Sequence, residues 1–143
     1  MRKTLTRKIV ESFPLFMHKM MQGFDFTDSS AGLNKTQEKT LHIIFYHGTT
    51  HMGDIISHLN MEKGSFTPVV DSLIEKGLIN KERDHADRRK INLTLSDRGR
   101  RHVEKMEERL NDHLQEKLQA LSAAERKRLL RVIDDLYELT EKL

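Results

Sequence analysis

At Gly77 the hydrophobic rhythm of the chain changes, and few folds accommodate what lies on its two sides. Upstream, Phe66, Val69, Val70, Leu73 and Ile74 recur at helical spacing, which predicts a helix over residues 64–76 that Gly77 stops. Downstream, residues 78–83 and 90–95 alternate as strands, joined by Asp84-His85-Ala86-Asp87-Arg88-Arg89. That pattern is a β-hairpin with a charged tip. Just before the helix, a shorter one over residues 51–58 carries Ile55 and Ile56, with Leu59 beside them. The tight connection Asn60-Met61-Glu62 links the two helices.

Two short helices, a tight turn and a hairpin make a winged helix-turn-helix. The rest of the chain is helical, so the fold is mainly α with a small β-hairpin wing. Phe13, Phe16, Met17, Met20 and Phe24 outline a first helix, in which Pro14 produces a kink or begins the regular part. Residues 23–32 are polar and turn-rich. Asn34 then caps a second helix, with Gln37 completing a capping box, Leu41, Ile44 and Phe45 forming its buried face, and Gly48 ending it. Ser96 caps a fifth helix through Val103, Met106, Leu110, Leu114 and Leu118. Ser122 and Glu125 form a second capping box ahead of Leu129, Val132, Leu136, Leu139 and Leu143. The alternating three-and-four spacing of that last set marks a seam against another helix.

Composition narrows the function classes. The 143 residues suit one domain, and with 36% hydrophobic and 33% charged residues the core is modest. Chains this lean gain burial by oligomerising. There is no cysteine, which excludes disulfides, thiolate catalysis and Cys-ligated zinc. No apolar run reaches the ~18 residues of a membrane helix. The basic start Met1-Arg2-Lys3 through Lys8 is followed by no apolar stretch of a signal peptide, so a cytoplasmic protein is expected. Between Lys81 and Arg101 stand eight Lys/Arg and four Asp/Glu, a local +4 against a whole-chain net of +3. Charge concentrated in this way suits a polyanion.

A helix of ~10–12 Å diameter fits the ~12 Å major groove of DNA when it is braced from behind. The helix over 51–58 is the brace and that over 64–76 the reader. At the reader's start, Lys63 and the helix N-terminus suit a phosphate, and Ser65 and Thr67 suit phosphates or base edges. Pro68 and the Thr67 methyl suit thymine methyls, and Asp71 lies one turn on. At the tip, Arg88, Arg89 and Lys90 stand beside Asp84 and Asp87. One arginine braced by an aspartate leaves the other to enter a minor groove. A helical dimer that has no DNA to bind needs no such trio. Catalysis has no motif here: no Gly-rich phosphate loop and no nucleophile elbow.

The segment LNMEKGSFTPVVDSLIEKGLINKERDHADRRKINLTLSDRG, residues 59–99, resembles the multiple-antibiotic-resistance regulator (MarR) family. Leu73-Ile74-Glu75-Lys76-Gly77-Leu78-Ile79, Asp87-Arg88-Arg89 and Leu95-Ser96-Asp97-Arg98-Gly99 carry the likeness. It implies a single domain over 1–143, with dimerisation helices at 1–30 and 100–143 and the winged module at 34–96. It further implies a homodimer on a palindromic double-stranded operator, usually a repressor, released by a small anionic or phenolic ligand. No membrane and no cofactor are implied. Ala86 stands where the family often has arginine, and Ile56 where it has a small alanine. Gly64 to Pro68 resembles the organic-hydroperoxide-sensing branch, whose reactive cysteine is missing, so thiol-based sensing is excluded. Phe16, Met17, Met20, Phe45 and Tyr46 are candidates to line a ligand cleft. Glu38 and His42 stand four apart, with His18 a conceivable third ligand. His47 and His51 are also four apart, but Gly48-Thr49-Thr50 lies between them, so they share no continuous helix face; without cysteine, no metal is expected.

Overall fold

The computed structural model describes residues 4–27 and 31–143. Met1, Arg2 and Lys3, and the centre of the 23–32 turn segment, lie outside the described residues. The elements run α1 (Leu5–Met21), α2 (Lys35–His47), β1 (Thr50–His51), α3 (Met52–Leu59), α4 (Lys63–Glu75), β2 (Ile79–Arg83), β3 (Ile91–Leu95), α5 (Asp97–Leu118) and α6 (Ala123–Thr140). The chain divides into two compact units. One holds residues 25–108; the other holds the residues up to 24 together with 109–143.

In the unit of residues 25–108, α2, α3 and α4 pack on a three-stranded antiparallel sheet of order β1-β3-β2. The hairpin expected from sequence is present, but a third strand joins it: Thr50 pairs with Leu93 and His51 with Asn92. Two residues are too few to show alternation, so this strand forms only because β3 supplies the partner edge. As a result α3 starts at Met52, with His51 as its N-cap, one residue later than expected. Similarly α4 runs from Lys63 rather than Gly64, and β2 and β3 each begin one residue late. Leu41, Ile55, Phe66, Val70, Leu73, Leu93 and Val103 are fully buried and form the core, with half-buried Ile56 packed against it.

Local chemistry sets the ends. Asn34 and Gln37 make a full capping box on α2, as do Ser122 and Glu125 on α6. Asn60 takes the left-handed conformation (φ 51°, ψ 46°) that turns α3 into α4, a geometry asparagine tolerates. Gly99 is buried with its Cα against the Leu78 carbonyl, where a Cβ would overlap the oxygen. Only glycine lets α5 start this close to the base of the hairpin.

In the other unit α1 begins at Leu5, capped by the Thr4 side chain, so Pro14 lies inside the helix instead of starting its regular part. Neither α1 nor α6 contains a buried residue. Ile9, Phe13, Val132, Ile133 and Leu136 line an open apolar groove of about 460 Å³ between them. No helix among the described residues is long and apolar enough to cross a membrane.

Candidate nucleic-acid interface

The N-terminus of α4 is chemically open. Its N-cap, Glu62, makes no side-chain cap hydrogen bond, unlike Asn34 and Ser122 on α2 and α6. The first amides therefore face outward with the positive end of the helix dipole, an arrangement suited to phosphate. Lys63, Ser65, Pro68 and Asp71 are exposed and Thr67 is half-buried. The Thr67 hydroxyl donates to the Lys63 carbonyl at 3.0 Å, which leaves its lone pairs and methyl outward. Pro68 sits within a continuous α4, and its ring takes the place of the N–H that would bond the Gly64 carbonyl. Behind, the Gln37 side chain donates to Ser72 Oγ at 2.9 Å and ties α2 to α4.

Asp84 organises the wing tip. One carboxylate oxygen accepts from the Ala86 and Asp87 amides, both at 2.9 Å, and the other from the Asn92 side chain at 3.0 Å. These bonds, the Asp87 amide foremost, hold its carboxyl well below the usual range, at about 2. Asp84 is thus no brace for an arginine. Its short spacing to the amides two and three residues on is the Asx-turn signal that identifies the true role. The brace is Asp87, which accepts from Arg89 Nε at 3.2 Å. That pair is open to water, with Arg89 91% exposed, so it orients the guanidinium but adds little stability. Arg88 makes no ion pair among the described residues, and its carbonyl accepts from Arg83 Nη1 at 3.1 Å.

The start of α4 and the wing meet. Lys63, Arg89 and Lys90 line one hollow of about 250 Å³ together with Gly53 and Asp54 of α3. Arg88 is outside it. Sequence reasoning does not single out the start of α3, because its closeness to the wing depends on the β1–β3 pairing.

The five aromatic and methionine candidates fall in different units. Phe16 lines the α1–α6 groove, Met17 is exposed, and the Met20 carbonyl accepts from His113 Nε2 at 3.0 Å. Phe45 and Tyr46 meet edge to face at 5.6 Å, and the Arg100 guanidinium lies 5.9 Å from the Phe45 ring centre. The Tyr46 hydroxyl donates to Glu107 at 2.6 Å. Desolvation, reinforced by this carboxylate, pushes the phenol up to about 12.

Glu38 and His42 do not act as a pair. Glu38 is 1% exposed, and both of its oxygens accept from His102 Nε2, at 2.9 and 3.0 Å. His42 Nδ1 lies 3.2 Å from Glu107, while its Nε2 is buried with no hydrogen-bond partner among the described residues. Burial pushes His42 below its ordinary value, so its ring is neutral at pH 7. Among the described residues no three His, Cys, Asp or Glu are placed to hold a metal ion.

Comparison with known proteins follows the same lines. The model of the MarR family matches residues 33–91. An uncharacterized HTH-type transcriptional regulator of Bacillus subtilis (strain 168), YwhA, is 30% identical over 106 residues, covering 74% of this chain and 76% of its own. Among solved structures, a point mutant of MepR from a multidrug-resistant S. aureus clinical isolate superposes with TM-score 0.70 at 20% identity, covering 98% and 99% of the two chains. The transcriptional regulator Tm0710 from Thermotoga maritima gives 0.69 at 20% identity, covering 98% and 96%. At such identities the structures speak for the fold alone.

Proposed function

The chain belongs to the MarR family and is a transcriptional regulator rather than an enzyme, and from that premise we propose that it is a cytoplasmic homodimeric repressor of a palindromic operator. The observation that carries the reading is the uncapped start of α4 sharing a hollow with Arg89 and Lys90, while Arg88 makes no ion pair among the described residues. In this reading Lys63, Ser65, Thr67, Pro68 and Asp71 face the major groove. Lys90 and the Asp87-braced Arg89 take phosphates, and Arg88 enters the minor groove.

Dimerisation is supported by α1 and α6, whose apolar side chains a single chain leaves in water: Ile9, Phe13, Val132 and Leu136 are all at least 40% exposed. Segments 1–30 and 100–143 would form the dimer, setting two winged modules, 34–96, on half-sites ~34–36 Å apart. Release by a small anionic or phenolic ligand is carried over from the family, with Phe16, Met17, Met20, Phe45 and Tyr46 as the candidate lining. By linkage, DNA weakens that ligand's binding by the factor with which the ligand weakens DNA's.

The test is duplex binding, by fluorescence anisotropy, to an operator selected from a random pool, across salt. Each phosphate contact contributes about 0.9 to the log–log slope. Arg88→Ala/Arg89→Ala is expected to weaken binding and flatten the slope by about 1–2. Unchanged affinity and slope would refute the interface.

A further inference from the structure

We propose that the chain binds a multiply charged small anion, a di- or tricarboxylate or a phosphate ester, in the groove between the C-terminal end of α4 and the first turns of α5. Arg98, Arg101, His102 and Lys105 stand three and four apart, so they share one face of α5. Gly99, pressed on the Leu78 carbonyl, brings that face over Lys76. The resulting cavity measures about 400 Å³, within the usual range for small-molecule sites.

Its charge is uncompensated. Lys76, Arg98, Arg101 and Lys105 against Glu75 sum to +3, as much as the formal net charge of the whole chain, which is +3. None of the four cations makes an ion pair among the described residues. The lining holds four cations and one carboxylate, Glu75. Two of its members are also held in place. Lys76 Nζ donates to the Gly32 carbonyl at 3.1 Å, which leaves two N–H groups for a ligand. The His102 ring is fixed from behind by buried Glu38.

Contact through the start of α4 does not account for Lys76. Lys76 lies thirteen residues beyond Lys63 on the same helix, about 20 Å along its axis from the end that would enter the groove. The site also shares no residue with the aromatic set on α1 and α2. Its failure would therefore leave the DNA reading standing, and the converse holds.

Citrate and inorganic phosphate are the probes, with acetate and chloride at matched ionic strength as controls, on the full chain by thermal unfolding and calorimetry. Citrate at ten times its Kd is expected to raise Tm by about 3–6 °C, with no rise from acetate. Arg101→Gln/Lys105→Gln should weaken citrate at least about ten-fold, each removed charge contact being worth roughly that factor. Its unliganded Tm and far-UV spectrum should match the parent, since both side chains are exposed. Lys76→Gln, on a different element, should weaken citrate as well. No citrate or phosphate shift beyond that of chloride would overturn the proposal. So would a shift retained in both variants, or a loss of duplex affinity in them equal to that of Arg88→Ala/Arg89→Ala, which would make the groove a DNA phosphate contact.

Discussion

Replacing His102 by alanine isolates the buried carboxylate that joins α2 to α5. Glu38 is 1% exposed and both of its oxygens accept from His102 Nε2. Removing one partner of a buried pair costs about 3–5 kcal/mol, because the other charge is stranded. His102→Ala is therefore expected to lose about 3–5 kcal/mol at pH 7. The corresponding fall in Tm is about 6–20 °C. Urea unfolding followed by circular dichroism, at one fixed protomer concentration, measures it. Glu38→Leu/His102→Leu, which removes both partners, should stay within about 1 kcal/mol of the parent. A loss below ~1 kcal/mol at pH 7 would mean that Glu38 is hydrated and the burial reasoning is wrong.

Gly99→Ala should cost about 3 kcal/mol or more in urea unfolding, at the upper end for overpacking, because the obstacle is the Leu78 backbone and not a side chain that can swing away; a loss under ~0.5 kcal/mol would refute the close approach. Asp84→Ala should speed hydrogen exchange at the Ala86 and Asp87 amides at least ten-fold, as each loses its acceptor. In the parent that protection should hold from pH 7 down to about 4 and vanish as the pH nears the carboxyl's own value of about 2. His42, whose proton affinity burial lowers, binds its proton less readily folded than unfolded, so its contribution is complete above ~6.5 and is lost as pH falls below it. His42→Leu should accordingly flatten the fall in Tm between pH 6.5 and 5; an unchanged slope would place the ring in solvent.

What could be read from the sequence was whatever is local. The Asn34–Gln37 and Ser122–Glu125 boxes each close over three residues, and the helical periods that follow them are long, so both helices begin where the sequence puts them. The wing was legible because its two strands are neighbours joined by a short turn. Its third strand was not, since Thr50 finds Leu93 across forty-three residues of chain. The same limit applies to Glu38 and His42. Their i, i+4 spacing looks like a pair, but Glu38 turns to His102, sixty-four residues on, and His42 to Glu107. The candidate DNA surface lies between these extremes. Its residues sit on local elements, yet the hollow that gathers Lys63 with Arg89 and Lys90 exists only once the sheet has closed.

The joint at the foot of the wing connects these parts physically. Ser96 Oγ donates to the Gly77 carbonyl at 2.6 Å and accepts from the Gly99 amide at 3.0 Å, while the Ser96 amide donates to the Leu78 carbonyl at 3.0 Å. One serine thus fastens the end of α4, the base of the hairpin and the first turn of α5. With Gly99 leaving no gap on the other side, these three elements have no room to move independently. The first turn of α5 is thereby tied to the end of α4 and to the base of the hairpin. Ser96→Ala removes the two side-chain bonds and keeps the fold's apolar core. It should loosen the Gly99 amide to hydrogen exchange while Tm falls only modestly, by about 2–8 °C for two bonds of ~0.5–1 kcal/mol each. Unchanged exchange at Gly99 would show that packing alone, and not this serine, makes the joint stiff.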